Sequence, residues 1–81
     1  MPNVARQTDT TSQGNTIIQG SPNVFVNELP IARLGDSVTS LSVKIVAGSP
    51  TVFANNLPVA RIGDPTAIDN IITGSENVFS N

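Results

Sequence analysis

The chain has 81 residues and a formal net charge of -2, with no Cys, His, Trp or Tyr and three Phe. A chain this short makes one domain that buries only about 60% of its unfolded surface, and this composition denies it a disulfide and the commonest transition-metal ligand. Four cations (Arg6, Arg33, Lys44, Arg61) scattered among Asp9, Glu28, Asp36, Asp64, Asp69 and Glu76 form no basic patch for nucleic acid, and no apolar run is long enough for a membrane-spanning helix.

A small domain without staples needs a partner, so the composition favours an assembly component over a free-standing enzyme. The start of the chain, Met1 to Arg6, has no charged head followed by an apolar stretch, which leads us to expect synthesis in the cytoplasm and export only within something larger.

Taken in order, the chain begins with Val4-Ala5-Arg6, followed by Gln7-Thr8-Asp9. Thr16-Ile17-Ile18 predicts a short strand that stops at a turn, Gly20-Ser21-Pro22. Asn23-Val24-Phe25-Val26 is a second strand, Asn27-Glu28 a turn, and Ile31-Ala32-Arg33-Leu34 a third strand closed by Gly35-Asp36. The order then repeats. Lys44-Ile45-Val46 runs into Gly48-Ser49-Pro50, Thr51-Val52-Phe53-Ala54 follows, and Asn55-Asn56 tolerates the left-handed turn of a tight hairpin. Leu57-Pro58-Val59-Ala60-Arg61-Ile62 is the next strand, with Pro58, like Pro30, confining its start to an edge or bend, and Gly63-Asp64 closes it. Gly74-Ser75-Glu76-Asn77-Val78-Phe79 is the third copy of the turn and second strand.

The repeats have a near-constant period: 27 positions from Asp9 to Asp36, 28 from Asp36 to Asp64, 28 from Gly20 to Gly48 and 26 from Gly48 to Gly74. Each unit then buries its apolar face against the next. The third unit lacks a third strand, and Val4-Ala5-Arg6 is an orphan copy of that strand. The chain therefore reads as three permuted units closed on themselves, about 10–36, 37–64, and 65–81 completed by 1–9, with adjacent ends. No helical periodicity appears, and the fold class is all-β.

The pattern Gly-Ser-Pro-x-Val-Phe-x-Asn-x-x-Pro-x-Ala-Arg-x-Gly-Asp, complete at 20–36 and 48–64, resembles the repeat of the PAAR proteins. Its carriers are Gly20, Ser21, Gly48, Ser49, Gly74, Ser75, Pro30, Ala32, Arg33, Gly35, Asp36, Pro58, Ala60, Arg61, Gly63 and Asp64. The resemblance covers essentially the whole chain, a single PAAR-like domain over 1–81. It implies a small conical β protein that sits on the end of a trimeric β-helical spike, one chain per trimer, in contractile phage tails or type VI secretion machines. Such a tip sharpens the spike for piercing a membrane. With no extension beyond the repeats, this chain would be a bare tip, in a virion's tail baseplate or injected by a type VI apparatus. Symmetry supports this separately, because three similar units match three subunits at once.

The resemblance also implies a zinc ion near the apex, held by His and Cys in the loops after the Gly-Asp elements. Those loops here carry Gln13, Ser40 with Ser42, and Ile68, which are poor zinc ligands, so we expect no metal site and no cofactor. Apolar packing by Leu41 and Ile68 and hydroxyl bonds from Thr11, Ser12, Thr39 and Ser40 are expected to hold the apex instead.

Other functional readings are weaker. Asp9, Asp36 and Asp64 could ring an axis and hold a hard cation, but the plainer reading is turn chemistry with pairing to Arg6, Arg33 and Arg61. Ser21 and Ser49 have no candidate base, so no catalytic residue and no small-molecule substrate are expected. A lectin-like or surface-adsorbing β module is the alternative function, though the chain has neither Trp nor Tyr for a sugar platform. Phe25, Phe53 and Phe79 read most plainly as three core residues meeting near the pseudo-axis. Their other reading is an exposed apolar ring for a partner.

Overall fold

Residues 1–40 and 42–81 are described here by a computed structural model. Leu41, and the apex packing expected of it, lie outside the described residues.

Asn27 and Glu28 take φ of 53° and 68°, and Asn55 and Asn56 take 53° and 66°, the paired left-handed conformations of a tight two-residue hairpin. These turns join β1 (Phe25–Val26) to β2 (Leu29–Pro30) and β3 (Phe53–Ala54) to β4 (Leu57–Pro58), both antiparallel, with Phe25 opposite Pro30 and Phe53 opposite Pro58. The fold is all-β, with no helix among the described residues.

The other predicted strands are shorter than the sequence implied. They survive as isolated bridges, such as Ile17 with Val38, Ile45 with Thr66, Arg33 with Val59, and Arg6 with Ile31. The cause is a change of partner at nearly every residue. The Ile31 N–H donates to Val24, the Ala32 N–H to Ala5 and the Leu34 N–H to Pro58, so a single segment bonds three different neighbours while crossing the axis.

That exchange closes a ring. The Ala5 N–H donates to the Ala60 carbonyl at 2.9 Å, Ala60 to Ala32 at 2.9 Å, and Ala32 to Ala5 at 3.0 Å. All three alanines have 0% exposure. They form one core cluster with Ile17, Ile45, Ile71 and Val38, against which Val43 packs. Val4, Val26, Ile31, Ala54 and Val59 form a second cluster.

The N-terminal segment pairs where the third unit lacks a strand. The Val4 N–H donates to Val78 at 2.9 Å, the Ser75 N–H to Val4 at 2.8 Å, and the Ser80 N–H to Pro2 at 3.0 Å, which brings the two ends together.

The three Phe depart from the core reading. Phe25, Phe53 and Phe79 are 56%, 55% and 47% exposed. Alternation along the strand turns the next residue inward, so Val26, Ala54 and Ser80 are the buried positions. The buried centre is already filled by the three alanines with Ile17, Ile45, Ile71 and Val38, and the aromatic side chains take no part in it.

Candidate functional site

Two sets of repeated groups, the Arg–Asp corners and the Gly-Ser turns that carry the Phe side chains, together with the unlike loops beyond the corners, define the surface and its support.

At each corner a carboxylate grips its own turn. Asp36 Oδ2 accepts the Arg33 backbone N–H at 2.7 Å and Arg33 Nε at 3.0 Å, while Oδ1 accepts Nη2 at 2.9 Å. Arg61 with Asp64 and Arg6 with Asp9 repeat this bidentate geometry. The aspartates are therefore held by arginine and by backbone, and they do not ring an axis as cation ligands. The hydrogen bonds each guanidinium donates to its carboxylate raise the arginine's pKa above its ordinary value, against the opposing effect of burial. Nη2 of Arg33 and of Arg61 also reaches the carbonyls of Gly20 and Gly48, both at 3.3 Å, so each corner is tied to the turn before it.

The motif residues Gly20 and Gly48 are glycine because the backbone approaches there. A Cβ on Gly20 would lie 2.8 Å from Pro30 Cβ, and one on Gly48 would lie 2.9 Å from Pro58 Cβ. On Gly74 it would meet the Val4 carbonyl at 2.7 Å.

Ser21, Ser49 and Ser75 follow, all buried. Each hydroxyl accepts the N–H groups two and three residues on, which fixes the entry to the Val-Phe strand. Ser21 and Ser75 also donate to Asn55 Oδ1 and Asn27 Oδ1 across the seams between units, both at 2.6 Å. These hydroxyls are committed to structure, with no base positioned to activate them. The result is three like-placed apolar pairs, Val24-Phe25, Val52-Phe53 and Val78-Phe79, presented on a braced scaffold.

The loops beyond the corners hold a hydrogen-bonded cluster. Thr39 Oγ1 and Ser40 Oγ donate to Asn15 Oδ1 at 3.2 and 2.5 Å. Asn15 Nδ2 donates to Asp69 Oδ2 at 3.3 Å, and the Gln13 N–H donates to the same oxygen at 3.1 Å. Thr66 Oγ1 donates to Asp69 Oδ1 and accepts the Asp69 N–H at 3.1 Å. Thr11 Oγ1 accepts the Asn15 N–H at 3.1 Å. Burial works to raise the Asp69 carboxyl, but bonds from Thr11, Thr66, the Gln13 N–H and Asn15 outweigh it and hold the group below its ordinary value.

The expected roles in these loops are partly redistributed. Thr11, Thr39 and Ser40 bond as anticipated, and Ser12 Oγ accepts the Asn70 N–H at 3.2 Å. Ile68 is 46% exposed and supplies no apolar plug, because the tight turn from Thr66 to Asp69 points its side chain outward. Sequence reasoning missed Asn15, Thr66 and Asp69. They lie outside the repeated phrases, and the Asn15–Asp69 contact spans 54 positions.

A zinc ion does not fit this donor set. Gln13 and Ser42 are exposed, Ile68 offers no ligand atom, and the one carboxylate present has both oxygens occupied. No group of three His, Cys, Asp or Glu that could hold a metal converges among the described residues.

A protein-family model described as PAAR motif matches residues 7–70 of the 81. A search of curated proteins returns no match.

Proposed function

The chain belongs to the PAAR-motif family, and we propose that it caps the end of a trimeric β-helical central spike, one chain per trimer. Members of this family are structural, spike-tip components of contractile injection machines. The observation that carries the finer reading is the threefold presentation of Phe25, Phe53 and Phe79, each about half exposed and each beside a partly exposed Val. Exposed apolar side chains that gather into a patch mark an interaction surface, and all three units present the same Val-Phe pair. A homotrimeric end offers three identical surfaces, and one chain that engages all three gains an effective-concentration advantage over any single contact. Covering these side chains also supplies stabilisation that a domain this small lacks internally.

The tip works without chemistry of its own. It is a braced, compact β body that travels with the spike and touches the target membrane transiently. This reading puts it in a contractile phage tail or a type VI apparatus. Native mass spectrometry with a trimeric β-helical spike fragment tests it. One chain per three spike subunits is expected, and replacing all three Phe by Ser should abolish the complex while leaving the fold intact.

A further inference from the structure

The cluster in the loops beyond the corners runs in one direction. Hydroxyls of the 39–40 loop donate to the Asn15 carbonyl oxygen, and the Asn15 amide in turn donates to Asp69. Gln13 and Thr66 donate to that same carboxylate. Gln13 Nε2 adds a bond to the Ile68 carbonyl at 3.0 Å. Three loops, separated by most of the chain, are thereby joined at one buried anion.

We propose that Asp69 is a metal-free cross-link for this end of the molecule, performing with a single carboxylate the gathering that a bound cation performs with several ligands. The polarity is inverted relative to a metal site. A cation collects lone pairs from surrounding side chains, whereas Asp69 collects donor hydrogens. It takes them directly from the 11–15 and 66–69 loops, and from the 39–40 loop through Asn15.

Two further observations agree. The units contribute unequally at this level. Two of them supply Thr11 with Asn15 and Thr66 with Asp69, while the third supplies Val38 with Val43, an apolar wall that no cation could use. Asn15 is also fixed in the orientation that aims its nitrogen at Asp69, because the carboxylate can only accept, and its oxygen then takes the two hydroxyl donors. A metal at this place would need the amide turned round and its bond to Asp69 given up. The carboxylate stays charged on neutral donors alone, which suits a buried anion only when its lone pairs are filled.

Hydrogen exchange on the intact chain tests this, with elemental analysis of protein purified from zinc-supplemented medium. The wild-type protein should carry no stoichiometric zinc, and EDTA should leave amide protection at Gln13, Asn15 and Asp69 unchanged. Asp69→Ala should speed exchange at Gln13 and Asn15 by about tenfold or more while Ala5, Ala32 and Ala60 keep their protection. Asp69→Asn, the milder change, should speed it less, and it decides the matter if Asp69→Ala does not fold. Stoichiometric zinc with chelator-sensitive protection would overturn the proposal. So would wild-type exchange at Gln13 and Asn15 in the folded Asp69 variants.

Discussion

The Ala60 N–H donates to the Ala32 carbonyl at 2.9 Å across the pseudo-axis, and both side chains are fully buried there. With Ala5 completing the ring, three methyl groups share the centre of the molecule. Ala32→Val should therefore overpack the axis and cost about 1–3 kcal/mol. Ala5→Val and Ala60→Val should cost the same within about 0.5 kcal/mol, as the symmetry requires. Urea unfolding of the three variants checks this, and an unshifted midpoint in any of them would contradict a close-packed axis.

Arg33 covers Asp36, whose side chain is only 3% exposed. Arg33→Ala leaves that carboxylate with the backbone N–H alone and opens the tie to Gly20. The expected loss is about 2–4 kcal/mol, below the cost for a fully buried pair because the guanidinium keeps some contact with water. Arg61→Ala should behave alike. Retained melting temperatures in both variants would remove the structural role of these corners.

Thr8 occupies the place that Gly35 and Gly63 hold in the other two units. Its φ is 85°, against 93° and 94° for the glycines. A β-branched residue there is strained by about 1–3 kcal/mol, and the extra freedom of glycine in the unfolded chain returns about 0.5–1 kcal/mol of that. Thr8→Gly should thus raise stability by about 1 kcal/mol, while Gly35→Ala should lower it. Thermal unfolding of the pair separates the effects by sign.

Acid should loosen the Asp69 loops. The folded protein holds this carboxyl below its ordinary value, so the folded state binds fewer protons than the unfolded chain. Its contribution is complete above about pH 4, the ordinary Asp value, and is lost as pH falls through the lower folded value. The difference in stability between wild type and Asp69→Asn, followed from neutral to strongly acidic pH, should be flat at first and then shrink. A difference that grows on acidification would contradict the stated direction.

Much of this arrangement was legible in the residues. Asn55-Asn56 signals its hairpin through turn chemistry, and the spacing of Val4-Ala5-Arg6 from its two copies points to the strand that completes the third unit. The Arg-x-x-Asp pairs are local, three positions apart, so their contact follows from the turn they share. The face taken by Phe25 was not legible. A shift of one residue swaps in for out, and Val24-Phe25-Val26 is apolar throughout. The length of the strands was also hidden, because partner exchange at the axis depends on all three units at once. Asp69 lay deepest. Its partners Asn15 and Gln13 come from the far end of the chain and belong to no repeated phrase.

The proposed docking uses three equivalent Phe contacts with a trimeric spike. Calorimetric titration of a trimeric β-helical spike fragment with wild-type chain, and then with Phe25→Ser, Phe53→Ser and Phe79→Ser, tests this most directly. We predict one chain per trimer and a similar loss of affinity, about tenfold or more, for each single variant. No binding by the wild-type chain, one chain per spike subunit, or a loss confined to one of the three Phe would contradict it.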